Sequence, residues 1–131
     1  MIGLVVAAHA GLAGEILLAA EMIVGPLEHA EAVGIRPDDA VESIRDAIAG
    51  AIGRVGGEGV IIMTDMFGGT PANMSLSFLE DSRVEVLTGV NLPMVIEFAG
   101  RRSRLAVAEL AAHLRDCGRS SISVAGDYLR K

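Results

Sequence analysis

Gly59-Val60-Ile61-Ile62-Met63-Thr64-Asp65-Met66-Phe67-Gly68-Gly69-Thr70-Pro71 decides the fold. Val60 to Met63 is an apolar, largely β-branched run, and Gly59 and Asp65 bound it too tightly for a helix. It therefore predicts a strand buried on both faces, as parallel strands are. Gly68-Gly69 then makes a turn. Thr70-Pro71 reads as a helix start, with the threonine hydroxyl as cap and proline in the first turn, where no amide hydrogen is required.

Upstream, Met1-Ile2-Gly3-Leu4-Val5-Val6-Ala7-Ala8 is another nearly continuous apolar run, and it ends at His9. Ile16, Leu17, Ala20 and Ile23 recur at helical spacing between Leu12 and Val24, and Gly25-Pro26 stops that helix. A weaker strand covers about His29 to Ile35. Pro37-Asp38-Asp39 offers caps for a helix over Ala40 to Ile52, in which Val41, Ile44, Ile48 and Ile52 share one face. Gly53 through Gly59 hold four glycines and make a turn.

Downstream, the helix begun at Thr70 reaches about Leu79, and a strand covers Arg83 to Leu87. Thr88-Gly89-Val90-Asn91-Leu92-Pro93 repeats the strand–turn–helix punctuation, with Asn91 as cap. Helical patterns follow over Met94 to Phe98 and Leu105 to Leu114, closed by Cys117-Gly118. Ser120-Ser121-Ile122-Ser123-Val124 alternates as an edge strand does. Strands alternating with helices predict a three-layer α/β/α fold with a mainly parallel sheet in the order 2-1-3-4, plus the C-terminal edge strand. The length, 131 residues, predicts a single domain over the whole chain.

Composition narrows the function. Hydrophobic residues make up 51% of the chain, which excludes disorder. Only Phe67, Phe78, Phe98 and Tyr128 are aromatic, and the net charge is −6, so neither stacking platforms nor a basic surface for nucleic acid is expected. A basic or amphipathic protein is the easier partner. Glu15 and Glu21 interrupt the N-terminal apolar residues well short of a membrane span, and no basic start precedes them, so no membrane insertion and a cytoplasmic location are expected. The single cysteine, Cys117, fits a reducing compartment and reads as a small apolar residue near a helix end.

In open α/β sheets chemistry collects at the carboxyl ends of the strands beside the switch point in strand order. His9 and Asp65 occupy such ends, on strands that the order 2-1-3-4 makes neighbours, so imidazole and carboxylate can meet by a hydrogen bond. Residue types and spacing alone fit equally well a histidine that ends a strand and an aspartate that satisfies loop amides. Gly68 and Gly69 let backbone approach a ligand closely, and the Thr70-Pro71 start directs amide hydrogens towards the strand ends, which suits an anion. The chain contains neither a GxxxxGK[ST] nor a GxGxxG sequence in the right place, and no acidic cluster that would hold Mg²⁺. A phosphoryl group delivered by another protein and accepted on His9 uses every one of these parts, with no cofactor and no metal.

At these residues the sequence resembles the IIA component of the mannose-type branch (mannose, fructose, sorbose) of the bacterial phosphoenolpyruvate-dependent sugar phosphotransferase system, the PTS. The resemblance rests on His9 after the first strand, on Ala20-Glu21-Met22-Ile23 followed by Gly25, on Asp65-Met66-Phe67-Gly68-Gly69-Thr70-Pro71 with Asn73, and on Gly89-Val90-Asn91-Leu92-Pro93-Met94. It implies a cytoplasmic phosphocarrier that takes a phosphoryl group from phospho-HPr and hands it to a IIB component. His9 is then the acceptor and Asp65 the carboxylate that orients it, while Gly68, Gly69 and Thr70 receive the phosphoryl oxygens. Met66 and Phe67 rim the site for HPr and IIB. The resemblance also implies a homodimer in which the C-terminal strand, with Ile122 and Val124, is exchanged.

The pattern has departures. Family members commonly carry Ser or Thr before the histidine and Gly after it, whereas Ala8 and Ala10 stand here; the lost hydroxyl removes one candidate hydrogen bond to phosphate. No IIB sequence follows, so a separate IIB protein is the expected acceptor. The alternative function is a regulatory binding module whose phosphorylation state controls a partner without sugar transport. A branch that serves dihydroxyacetone kinase ranks below both, because the glycine loop has the mannose-type form. His29 and His113 read as structural or solvated, and Arg101, Arg102 and Arg104 fit a solvated turn better than a phosphate site. Met22 and Met94 fit either core packing or the site's rim.

Overall fold

The computed structural model describes residues 1–130. Four strands, β1 (Gly3–His9), β2 (Ala30–Ile35), β3 (Val60–Thr64) and β4 (Val84–Thr88), form an all-parallel sheet in the order β2-β1-β3-β4. Between and after them lie α1 (Leu12–Val24), α2 (Val41–Val55), α3 (Thr70–Leu76) with a 3₁₀ turn at Ser77–Glu80, α4 (Leu92–Arg101), α5 (Val107–Ser120) and α6 (Ala125–Leu129). The expected α/β class and strand order are those observed.

Side-chain alternation along the strands builds two cores. Leu4, Val6 and Ala8 of β1 and Ile61 and Met63 of β3 face α1, α4 and α5, where Phe98, Leu110 and Leu114 are fully buried. Val5 and Ala7 of β1 and Val60 and Ile62 of β3 face α2 through Ile44, Ile48, Ala51 and Val55. Both faces are therefore dry, which is why β1 and β3 read as continuous apolar runs. Each such Leu or Ile contributes about 1.5–3 kcal/mol by leaving water. The chain passes from β1 to an outer neighbour, then back across to β3, so right-handed crossovers put α1 and α2 on opposite faces. The carboxyl ends of β1 and β3 flank the resulting switch point.

Several local expectations are corrected. Thr70 does not cap α3: Gly69 is the cap residue, in an extended conformation, and no side chain caps it. Asp39 does not cap α2 either; its Oδ2 accepts the backbone N–H of Arg36 at 2.8 Å and closes the preceding turn. Asn91 does cap α4, accepting the Met94 N–H at 3.1 Å. Cys117-Gly118 does not end α5, which runs on to Ser120. Gly118 serves contact instead of termination, since a β-carbon there would stand 2.7 Å from Cε of Met94.

The expected C-terminal edge strand is absent from the sheet of its own chain. The hydroxyls of Ser120 and Ser121 both bond to the Cys117 carbonyl and prolong the helix end, and α6 begins at Ala125. Arg102, expected in a solvated turn, is 6% exposed. Its guanidinium donates to the carbonyls of Ile2, Glu28 and His29 and lies over the Phe98 ring, so it ties α4 to the start of β1 and the turn before β2.

Candidate functional site

His9 is the last residue of β1, and alternation places its side chain on the α2 and α3 side of the sheet, as for Val5 and Ala7. The β1–β3 register pairs Ala7 with Thr64, so Asp65 leaves β3 beside the end of β1. The prediction that the two side chains meet is correct. Oδ2 of Asp65 lies 2.7 Å from Nδ1 of His9 and also accepts the His9 backbone N–H at 3.0 Å. One oxygen therefore holds both the ring and the main chain of the same residue. The other, Oδ1, is buried without a hydrogen-bond partner among the described residues.

The Asp65 side chain is 13% exposed and that of His9 49%. Burial pushes the Asp65 carboxyl up, but the His9 backbone N–H, its ring N–H and charge, and Asp65's own amide outweigh burial and hold the group below its usual range. An ionised carboxylate only accepts, so Nδ1 carries the proton, and in the neutral ring the lone pair is left on Nε2. The half-exposed ring is thus fixed in the tautomer of a nucleophile.

The glycine loop approaches from the other side. Gly68 takes φ +84, a left-handed conformation that favours glycine. Gly69 leaves little room beside the ring: a β-carbon there would meet Cε1 of His9 at 3.1 Å and Cγ of Met66 at 3.2 Å, so those side chains would have to give by a few tenths of an ångström. The Asn73 N–H donates to the Gly69 carbonyl at 2.9 Å and anchors the loop to α3. Met66 and Phe67 project outward, and Phe67 is 75% exposed. Thr70 lines, with His9, Ala10 and Arg36, a groove of about 470 Å³ that opens towards the start of α2.

Other candidates lie elsewhere. Met94 is buried in the core. Met22 is exposed but stands ten residues along α1 from Leu12, roughly 15 Å from the end that follows His9. His113 lies 3.7 Å from Glu97, which also pairs with Arg101. Ala8 is fully buried in the core under α1, away from the groove. Two features escaped sequence reasoning. Ala10 adopts φ +52, where its N–H reaches the Ile35 carbonyl at 2.9 Å; the signal available was the glycine usual at that place. Arg36 lines the groove from the end of β2, and only the parallel pairing of β1 and β2 brings it there.

A family model described as "PTS system fructose IIA component" matches residues 3–115. The chain is 29% identical over its whole length to the PTS system fructose-specific EIIA component of Bacillus subtilis, covering 91% of that protein. It is 31% identical to the PTS system sorbose-specific EIIA component of Lacticaseibacillus casei, over 85% of this chain and 81% of the other. Among solved structures, the mannose/sorbose-specific IIA subunit from Enterococcus faecalis superposes with a TM-score of 0.84 at 31% identity, covering 93% of this chain and 92% of that one.

Proposed function

Because the chain belongs to the family of PTS fructose IIA components, we propose that it is a phosphocarrier in which His9 accepts a phosphoryl group from phospho-HPr and passes it to a IIB component. The observation that carries this reading is the 2.7 Å contact between Asp65 and Nδ1 of a half-exposed imidazole.

The step balances without an outside acid or base. The Nε2 lone pair of His9 attacks phosphorus, the N–P bond of the donor phosphohistidine breaks, and its electrons return to the donor imidazole. His9 keeps the Nδ1 proton throughout, so its phosphorylated ring is cationic. The Asp65 carboxylate, already in contact, stabilises that charge without reorganisation. Transfer to IIB is the same step in the opposite direction. Gly68, Gly69 and Thr70 border the space beside the ring and receive the phosphoryl oxygens. Little covalent work is asked of the protein in such a transfer; positioning and charge do most of it.

Met66 and Phe67 form an apolar rim on which both partners dock, in line with the enrichment of methionine and phenylalanine at interfaces. A homodimer with exchanged C-terminal segments, working in the cytoplasm, completes the proposal. The decisive experiment supplies phosphoenolpyruvate, enzyme I and HPr and maps the label. One acid-labile phosphohistidine at His9, lost in His9→Ala, is expected; a label on another residue, or none, refutes the reading.

A further inference from the structure

We propose that Arg36 is a phosphoryl-binding residue whose guanidinium neutralises the oxygens of the group carried on His9. The inference rests on the reading of His9 as acceptor and goes one residue beyond it. His9 is the register partner of Ile35, and the Ile35 carbonyl accepts the Ala10 N–H at 2.9 Å. Arg36 therefore leaves β2 at the level where His9 ends β1, on a strand about 4.8 Å away. An arginine side chain spans that gap, and both residues line the same groove.

The backbone of Arg36 is fixed. Its N–H donates to Oδ2 of Asp39 at 2.8 Å, its carbonyl accepts the Asp39 N–H at 3.1 Å, and Pro37 stiffens the turn between them. Its head group forms no ion pair among the described residues, in contrast to Arg54, Arg83, Arg101 and Arg115 and in common with Arg45, Arg104, Arg119 and Arg130; of these unpaired arginines only Arg36 lines the groove.

Charge supplies the reason for such a group. The chain carries −6, and a dianionic phosphoryl group on His9 would stand near the carboxylates of Asp65 and Asp39. Among the described residues, Arg36 is the only lysine or arginine lining the groove. A guanidinium meets phosphate oxygens with paired, charge-assisted hydrogen bonds, a geometry that an ammonium does not reproduce.

The test measures the equilibrium of the phosphoryl group between HPr and this protein, for the wild type, Arg36→Gln, Arg36→Lys and the control Arg101→Gln. Docking to HPr alters forward and reverse rates alike and cancels from this constant, so it isolates the phosphorylated state. Arg36→Gln is expected to shift the equilibrium about tenfold towards phospho-HPr and to shorten the lifetime of phospho-His9, with Arg36→Lys in between and Arg101→Gln unchanged. Labelling at His9 with an equilibrium insensitive to both Arg36 variants overturns this proposal alone. No label on wild-type His9 overturns the acceptor reading and this proposal with it.

Discussion

The α-carbon of Gly69 faces the His9 ring so closely that a β-carbon would stand 3.1 Å from Cε1. The backbone angles of Gly69, φ −82 and ψ 169, suit any residue, so the constraint on a side chain there is one of space alone. Gly69→Ala should fold normally but push the ring against its bond to Asp65. Transfer from phospho-HPr is expected to fall about tenfold or more, as small misplacements of a reacting group do. Rapid-quench kinetics beside a thermal melt separate the two effects; equal loss of stability and rate would point to general damage instead.

Asp65→Asn removes the charge that holds the imidazole tautomer. Transfer should drop roughly 10- to 100-fold, as when other imidazoles lose a carboxylate partner. The folded Asp65 carboxyl titrates below its ordinary value of 3.8. Its contribution to stability is therefore complete above that value and disappears as pH falls through the folded pKa. Denaturation of wild type and Asp65→Asn should differ by about 1–2 kcal/mol near neutrality and converge in acid below pH 3.8. A difference that stays constant down to the lowest pH measured contradicts the assignment.

Ala10 holds φ +52, and a left-handed conformation costs an L-residue about 1–2 kcal/mol. Ala10→Gly relieves that strain but loses more chain entropy on folding, for a net gain of about 0.5–1 kcal/mol and a rise of a few degrees in Tm. Calorimetry checks the sign. Gly34→Ala should do the reverse, because its β-carbon would sit 2.6 Å from the Ala10 carbonyl oxygen, which belongs to rigid backbone.

Arg102→Met keeps length and apolar contact but strands the carbonyls of Ile2 and Glu28, while that of His29 keeps the Leu4 N–H. Burial pushes the guanidinium pKa down, against the opposing pull of Glu28, so the site bears an unfavourable charge that these bonds offset. A loss of about 2–4 kcal/mol is expected, only partly restored in Arg102→Lys, whose ammonium lacks the planar fork. Urea titration measures it, and an undiminished midpoint would show that the strap contributes nothing.

Ile122 and Val124, 76% and 67% exposed, follow α5 without regular secondary structure, and among the described residues no strand lies beside the outer edge of β4. If the proposed exchange occurs, that segment pairs with a partner's sheet. The double variant Ile122→Asp, Val124→Asp should then convert a dimer to a monomer in light scattering. A mass unaffected by the substitutions would rule the exchange out.

Patterns that depend on local chemistry were legible in the sequence. Continuous apolar runs announced the buried strands, Gly25 and Asn91 marked a helix end and a helix start, and polar residues at two strand ends drew attention to His9 and Asp65. Helix caps failed where backbone geometry chose among adjacent candidates. Gly69 displaced Thr70 as the cap, and Asp39 closed a turn with Arg36 instead of starting α2.

The sequence by itself determined the alternation of elements and the chemical kinds of group available, because burial and backbone propensity act within a few neighbours along the chain. Tertiary structure alone decided that a single oxygen of Asp65 holds both ring and backbone of His9, and that Gly69 abuts the same ring. It alone set Arg36 in the groove and drew Arg102 inside. Those relations join residues from different strands and helices. Their distances depend on sheet register and on the closeness of packed layers, neither of which any short stretch of chain encodes.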